Sequence, residues 1–194
     1  CASGFLAFKP DEDEESSERI QFRIKDNTKL NALEMLLVDR VAGRKVIIYH
    51  YFKYTAMMIE ELLDKLKIGY SSIRGGKAHI LRDFEQFLSD PKKQVLVAQT
   101  QVGSEAINPQ AVCNIEIYFE SPEDPAIRKQ AERRVRREGQ KEKYVLIYDL
   151  YAKGTIEEQL LKYHREGPDL LAAVIAGDAS LVQPDEEKET ADAL

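Results

Sequence analysis

The chain has no tryptophan and only two cysteines in 194 residues. Cys1 and Cys113 do not make a disulfide framework, and Cys113, set in Ala111-Val-Cys-Asn-Ile115, is expected as a small core residue of a reducing compartment. No apolar stretch comes near the roughly 20 residues of a membrane-spanning helix, and no basic-then-apolar leader opens the chain. The histidines, His50, His79 and His164, stand in no Cys/His spacing that suits zinc. The phosphate-loop pattern G-x-x-x-x-G-K-[ST] is missing, since Arg74-Gly-Gly-Lys-Ala has the wrong spacing and no following hydroxyl. Asp11-Glu-Asp-Glu14 follows no apolar strand and is no magnesium-binding box. No internal repeat is present, and composition is biased only at the acidic ends.

The length suits one domain of ordinary size, and 43 % apolar residues are enough for a core. The net charge of −6 hides an uneven distribution: residues 1–20 carry −4, residues 178–194 carry −5, and the middle is left at +3. Residues 128–143 alone hold eight Lys/Arg against three Glu. The ends read as acidic and solvated, and the middle as a cationic face suited to phosphate partners. This gives an acidic, mobile segment over 1–20, a folded domain over 21–177 and an acidic disordered tail over 178–194. The first residue is Cys1, not Met, so the chain is expected to be part of a longer polypeptide.

Helical and extended patterns alternate from about residue 27. Asn27-Thr28 caps a helix carrying Leu30, Leu33, Leu36 and Leu37. Lys45–His50 reads as a buried strand, and residues 53–67 as a helix closed by Gly69. Residues 70–74, 95–98, 114–119 and 144–150 read as strands, with helices over 79–89, 130–140, 155–164 and 169–175. Strands separated by helices predict a mainly parallel sheet covered on both faces, a three-layer αβα domain. In such sheets ligands sit beyond the carboxyl ends of the strands. His50, Tyr51 and Lys53, then Arg74 with Gly75 and Gly76, then Gln99–Glu105 follow three of those strands and are expected on one rim.

The densest cluster of chemistry is Gln130-Ala-Glu-Arg-Arg-Val-Arg-Arg-Glu-Gly-Gln140. As a helix it puts Gln130, Arg134 and Arg137 on one stripe. Like charges one turn apart cost an isolated helix about 0.2–0.5 kcal/mol, so the stripe makes most sense facing an anion. A basic helix end favoured by the macrodipole, with Gly139 as terminator, is the alternative.

These segments together resemble the second RecA-like lobe of superfamily-two helicases and translocases, of the Swi/Snf type, over roughly residues 28–176. Lys45-Val-Ile-Ile-Tyr-His-Tyr-Phe52 resembles the strand-plus-aromatic motif IV of that family, Thr100–Asn108 motif V, and Gln130–Gln140 motif VI. Gly154-Thr-Ile-Glu-Glu158 resembles a segment common after the last strand. Three departures stand out: Ala106 replaces the usual Gly, Pro109 interrupts an aliphatic stretch, and Ser121-Pro-Glu-Asp-Pro125 replaces a Trp-Asn-Pro.

The resemblance implies a RecA-like α/β fold and a role in ATP hydrolysis on nucleic acid, double-stranded DNA before RNA. ATP and magnesium would be held mainly by an N-terminal RecA-like lobe of the same polypeptide, and this chain alone would hydrolyse ATP negligibly. Arg137 is then the arginine finger and Arg134 its companion, while Gln130, Gly103 and Glu105 border the nucleotide. Gly103 is expected to permit close backbone approach, Ser104 to cap a helix, and Gln99 and Thr100 to bond a nucleic-acid phosphate. An ordinary strand-to-helix turn is the alternative there. His50, Tyr51, Lys53, Arg74 and Gly75 are read as nucleic-acid contacts, with plain packing of Tyr51 and Phe52 and a plain turn at Arg74 left open. Thr155–Glu158 reads as a capped helix start. The location implied is intracellular and cytoplasmic. A non-catalytic interaction module and an RNA helicase lobe remain as other readings.

Overall fold

The computed structural model describes residues 5–8, 20–23, 26–74 and 79–166. The chain divides into two compact units, Cys1–Tyr151 and Ala152–Leu194. The elements of the first unit are β1 (Phe5–Phe8), β2 (Ile20–Arg23), α1 (Thr28–Met35), β3 (Val46–His50), α2 (Lys53–Lys65), β4 (Gly69–Ile73), α3 (Ile80–Ser89), β5 (Lys93–Gln99), α4 (Thr100–Ala106), β6 (Ile115–Tyr118), α5 (Pro125–Val135) and β7 (Leu146–Asp149). The second contains α6 (Ile156–Glu166). The expected helix over 169–175 lies outside the described residues.

Five strands form one parallel sheet in the order β4-β5-β3-β6-β7. Its central strands are apolar on both faces because helices cover both. One face packs Val46, Ile48, Val95, Val97, Ile115 and Ile117 against Leu30 and Leu33 of α1 and Met58, Ile59, Leu62 and Leu63 of α2. The other packs Ile47, Tyr49, Leu96, Ala98 and Tyr118 against Phe84 and Phe87 of α3 and Ala131 and Val135 of α5. This is the three-layer αβα architecture that the alternation of elements predicts. Separately, β1, inside the segment read as an acidic end, pairs antiparallel with β2, which begins at the last residue of that segment.

Local signals explain most boundaries. Asn27 caps α1, its Oδ1 accepting from Leu30 N at 3.1 Å. The helix then continues through a π-helical turn, Leu36–Arg40, in which Val41 N bonds Leu36 O. Helix α2 closes two residues earlier than expected, on Lys67 in the left-handed region at φ 57°, not on Gly69. Helix α6 starts on a cap as expected: Thr155 Oγ1 accepts from Glu157 N, and the Glu158 carboxylate accepts from Gly154 N.

The largest correction concerns the arginine segment. Helix α5 stops at Val135 and its cap, Arg136, has left helical geometry with φ −85° and ψ 65°. Gln140 causes this: its Nε2 donates to Val135 O at 3.2 Å and to Cys113 O at 2.9 Å, satisfying the helix-end carbonyl from outside. Residues 137–140 form a turn closed by Gln140 N on Arg137 O at 3.1 Å, with Gly139 at φ 91°. Arg137 therefore lies beyond the helix, and a 3.6-residue stripe does not bring it to Arg134.

Candidate functional site: a paired-arginine loop and the carboxyl rim of the sheet

Strands β3, β4 and β5 are parallel neighbours, so the described residues of the three clusters that follow them, Arg74 among them, share one rim, while Gly75 and Gly76 lie outside the described residues. Their side chains are not equally available. His50 is fully buried, its Nδ1 paired with Phe52 O at 3.0 Å. Burial pushes its pKa down to about 4, so the ring is neutral and cannot present a charge to phosphate. Thr100 is also buried, and its hydroxyl donates to His50 O at 3.1 Å, tying β5 to β3. Both depart from the expected exposed contacts for the same reason: these groups join strand ends instead of facing out. Tyr51 and Lys53 are exposed and Gln99 is half-buried.

Arg74 is engaged inside the fold. Its Nη2 lies 2.7 and 2.9 Å from the two carboxylate oxygens of Glu60 on α2, which also accepts from Ser72 Oγ at 2.6 Å. Gly75 lies outside the described residues. The rim contains one residue that the sequence did not point to, Glu120. It is buried just past β6, and its carboxylate accepts from Tyr51 N at 2.9 Å, Phe52 N at 3.0 Å and Thr55 Oγ1 at 2.7 Å. An internal carboxylate thus occupies the two amides that immediately precede α2.

The motif V segment is helical from Thr100, so Ser104 sits inside α4 and its hydroxyl donates back to Gln101 O at 2.8 Å. It is not the expected cap. Gly103 is buried, and a Cβ there would lie 2.8 Å from Cε1 of Tyr49. The close approach that glycine permits is between α4 and β3, not between backbone and ligand.

Arg134 reaches across to the end of α4. Its Nε donates to Ser104 O at 2.8 Å, Nη2 to Glu105 O at 3.0 Å and Nη1 to Asn108 Oδ1 at 3.2 Å. It therefore satisfies the carbonyls that the short helix leaves open. Arg137 is exposed, and its Nη1 donates to the same Asn108 Oδ1 at 2.8 Å. The Glu105 side chain is exposed, and its main-chain carbonyl joins the arrangement. Gln130 is exposed one turn before Arg134. Beside Arg137 opens a cleft of about 470 Å³ lined by Arg136, Arg137, Gln140, Glu142, Lys143, Tyr144 and Val145. Because α5 runs back from the carboxyl rim, this loop lies toward the start of β6, where Gln140 holds Cys113 O.

Under α5 lies a second group missed by sequence reasoning. Glu116 of β6 is fully buried, and its carboxyl forms no hydrogen bond of ordinary geometry, although the Tyr49 hydroxyl lies near it. Burial, reinforced by Glu132 and offset by Arg136 and Arg128, pushes its pKa up to about 8. Arg128 packs over the Tyr118 ring at 4.2 Å and pairs with Asp149 at 2.6 Å and Glu132 at 3.0 Å, joining α5 to β7. The Cys113 thiol is buried and raised to about 12, which makes it the inert core cysteine expected.

Comparison with known proteins gives consistent matches. Residues 28–139 match the family model described as Helicase conserved C-terminal domain. The chain is 32% identical over 157 residues to Chromatin-remodeling ATPase INO80 of Homo sapiens, covering 79% of this chain and 10% of that protein. It is 33% identical over 153 residues to Uncharacterized ATP-dependent helicase YqhH of Bacillus subtilis (strain 168), covering 79% and 27% respectively. The fold matches a crystal structure of the C-terminal part of the Fun30 ATPase domain with a TM-score of 0.62 and 28% identity, over 69% of this chain and 44% of that one. The chain thus spans only a tenth to about a quarter of the length of these two curated relatives. No helix among the described residues is long and apolar enough to cross a membrane.

Proposed function

Since the chain belongs to the helicase conserved C-terminal domain family, as a Swi/Snf-like second RecA-like lobe, we propose that it is the half of an ATP-driven nucleic-acid motor that completes the ATP site with an arginine. The observation that carries this reading is the shared acceptor. Asn108 Oδ1 takes one bond from Arg134 and one from Arg137, holding two guanidinium groups against their mutual repulsion. Arg134 has its Nε, Nη1 and Nη2 all engaged and acts as the anchor. Arg137 is exposed and, among the described residues, is bonded through Nη1 alone, and it is the group that can extend to the terminal phosphate of ATP. Its guanidinium stays charged and forks onto phosphate oxygens, neutralising charge that builds on the transferring phosphoryl group. In comparable enzymes such a finger accelerates turnover by about 10³–10⁵-fold.

In this reading the phosphate loop, the magnesium ligands and the group that positions water belong to an N-terminal RecA-like lobe. The limited coverage of longer relatives supports a polypeptide with room for one. Gln130 borders the nucleotide from α5. Tyr51, Lys53 and Gln99 contact nucleic acid at the carboxyl rim, through phosphate and without sequence selection. Double-stranded DNA is favoured by likeness to a chromatin-remodelling ATPase.

The test is ATP turnover by the complete polypeptide with duplex DNA, duplex RNA or neither. Stimulation by duplex DNA supports the motor reading. Stimulation by RNA alone moves the lobe to RNA helicases, and absence of turnover under all three conditions leaves a non-catalytic interaction module.

A further inference from the structure

The cleft beside Arg137 has two walls, and the Gln140 side chain holds both. Its Nε2 donates to Val135 O at 3.2 Å, behind Arg136 and Arg137, and its Oε1 accepts from Glu142 N at 3.1 Å on the other wall. Past Lys143, Asn114 Nδ2 donates to Tyr144 O at 2.9 Å, and Asn114 Oδ1 in turn accepts from Arg44 Nη2 at 2.9 Å. Lys143 thus sits between two anchored residues, exposed, with its Nζ 5.3 Å from the centroid of the Tyr144 ring.

Three cations, Arg136, Arg137 and Lys143, line this cleft against one carboxylate, Glu142. Among the described residues neither Arg136 nor Lys143 forms an ion pair. Glu116, within electrostatic reach of Arg136, keeps its proton to about pH 8 because it is buried, so it offers no counter-charge at neutral pH. Like charges gathered around an open space repel one another, and an anion in that space turns the repulsion into attraction. The volume of about 470 Å³ suits a small ligand. The cleft lies toward the start of β6, away from the carboxyl rim where Tyr51, Lys53 and Gln99 stand.

We propose that Arg136 and Lys143 bind the phosphate chain of ATP in this cleft, so that the lobe holds the nucleotide with two cations and leaves Arg137 for the phosphoryl group being transferred. This rests on the reading of Arg137 as the arginine that completes the ATP site, and adds the residues that hold the nucleotide to the one that activates it. A triphosphate carries several negative charges, more than one guanidinium offsets. Arginine meets phosphate oxygens as a fork and lysine meets them as a point charge. Contacts made equally before and during phosphoryl transfer act on KM and leave kcat alone, which separates these two residues from Arg137.

The experiment measures ATP binding at equilibrium, and KM and kcat with duplex DNA, for the complete polypeptide carrying Arg136→Met, Lys143→Met or Lys143→Arg. Methionine keeps an unbranched stem and removes the charge. Each Met variant should raise Kd and KM for ATP about tenfold with kcat largely kept, as loss of one charged contact gives. Lys143→Arg should stay near the parent. Inorganic tripolyphosphate, which has neither base nor ribose, should compete with ATP about tenfold more weakly in the Met variants than in the parent. Urea midpoints near the parental one show that these variants are folded. Parental Kd and KM in both Met variants overturn the proposal, as does a fall in kcat with KM unchanged. A rise in the duplex DNA needed for half-maximal stimulation, with KM for ATP unchanged, also overturns it and assigns the cleft to nucleic-acid phosphate. Failure of the finger reading is separate: it shows as parental turnover in Arg137→Ala, and weakened ATP binding in the Met variants would still hold the cleft as a triphosphate site.

Discussion

Arg134 and Arg137 donate to one oxygen, Asn108 Oδ1, at 3.2 and 2.8 Å, although a helix end and a turn separate them. The two arginines divide the work. Three donor atoms of Arg134 hold the end of α4, and Arg137 projects into solvent beside the cleft.

That division predicts different costs. Arg134→Ala removes the donors to Ser104 O and Glu105 O and should destabilise the 194-residue chain by about 1–2 kcal/mol. Arg137→Ala touches one exposed bond and should stay within about 0.5 kcal/mol of the parent. Urea denaturation of both variants measures this. Equal losses would mean that Arg137 is structural as well.

Asn108→Asp changes a neutral acceptor into a carboxylate within bonding distance of both arginines. An ion pair there holds Arg137 back and cancels its charge, so ATP turnover of the complete polypeptide should fall at least tenfold with no loss of stability. Parental turnover in this variant would remove Asn108 from the arrangement.

Glu116 sets a pH dependence. Folded, it keeps its proton to about pH 8, and its ordinary value is 4.5. Between these the folded state binds more protons than the unfolded chain, so stability falls as pH rises, by at most about 1.4 kcal/mol per pH unit. His50 acts oppositely: lowered from 6.5 to about 4, it leaves the extra proton on the unfolded chain and makes stability rise with pH over that range. The two slopes offset each other up to about pH 6.5, and the decline due to Glu116 emerges from there to about pH 8. Glu116→Gln should be more stable than the parent above that range and should lose the decline. Denaturation midpoints that fall equally in both proteins would contradict the assignment.

Contact through phosphates makes binding salt-dependent. The affinity of the chain for duplex DNA should fall linearly on a log–log plot against salt, and Lys53→Ala should reduce the slope by about 0.9. An unchanged slope would place Lys53 away from the phosphates.

The parallel sheet was legible because Val46–Tyr49 and Val95–Ala98 are apolar without alternation, as strands covered on both faces must be. The identity of the arginine segment was legible too, from its order of residues. Its geometry was not, because periodicity describes a helix only while it lasts. The helix ends where Gln140 bonds Cys113 O, 27 positions away in the chain, and the arginines meet Asn108 across separations of 26 and 29. Glu120 reaches Phe52 N across 68 positions. Glu116 was equally hidden, since an acid among strand residues gives no sign of which face it buries. His50 and Thr100 were placed on the right rim, but their burial depends on the bond between adjacent strand ends, which sequence order does not display.

In the proposed motor Arg137 acts at the phosphoryl group. The direct measurement is steady-state ATP turnover with duplex DNA by the complete polypeptide carrying Arg137→Ala, alongside equilibrium binding of ATP. The predicted result is turnover reduced by about 10³-fold or more with ATP affinity within a few-fold of the parent. Turnover near the parental rate, with the variant folded, would contradict it.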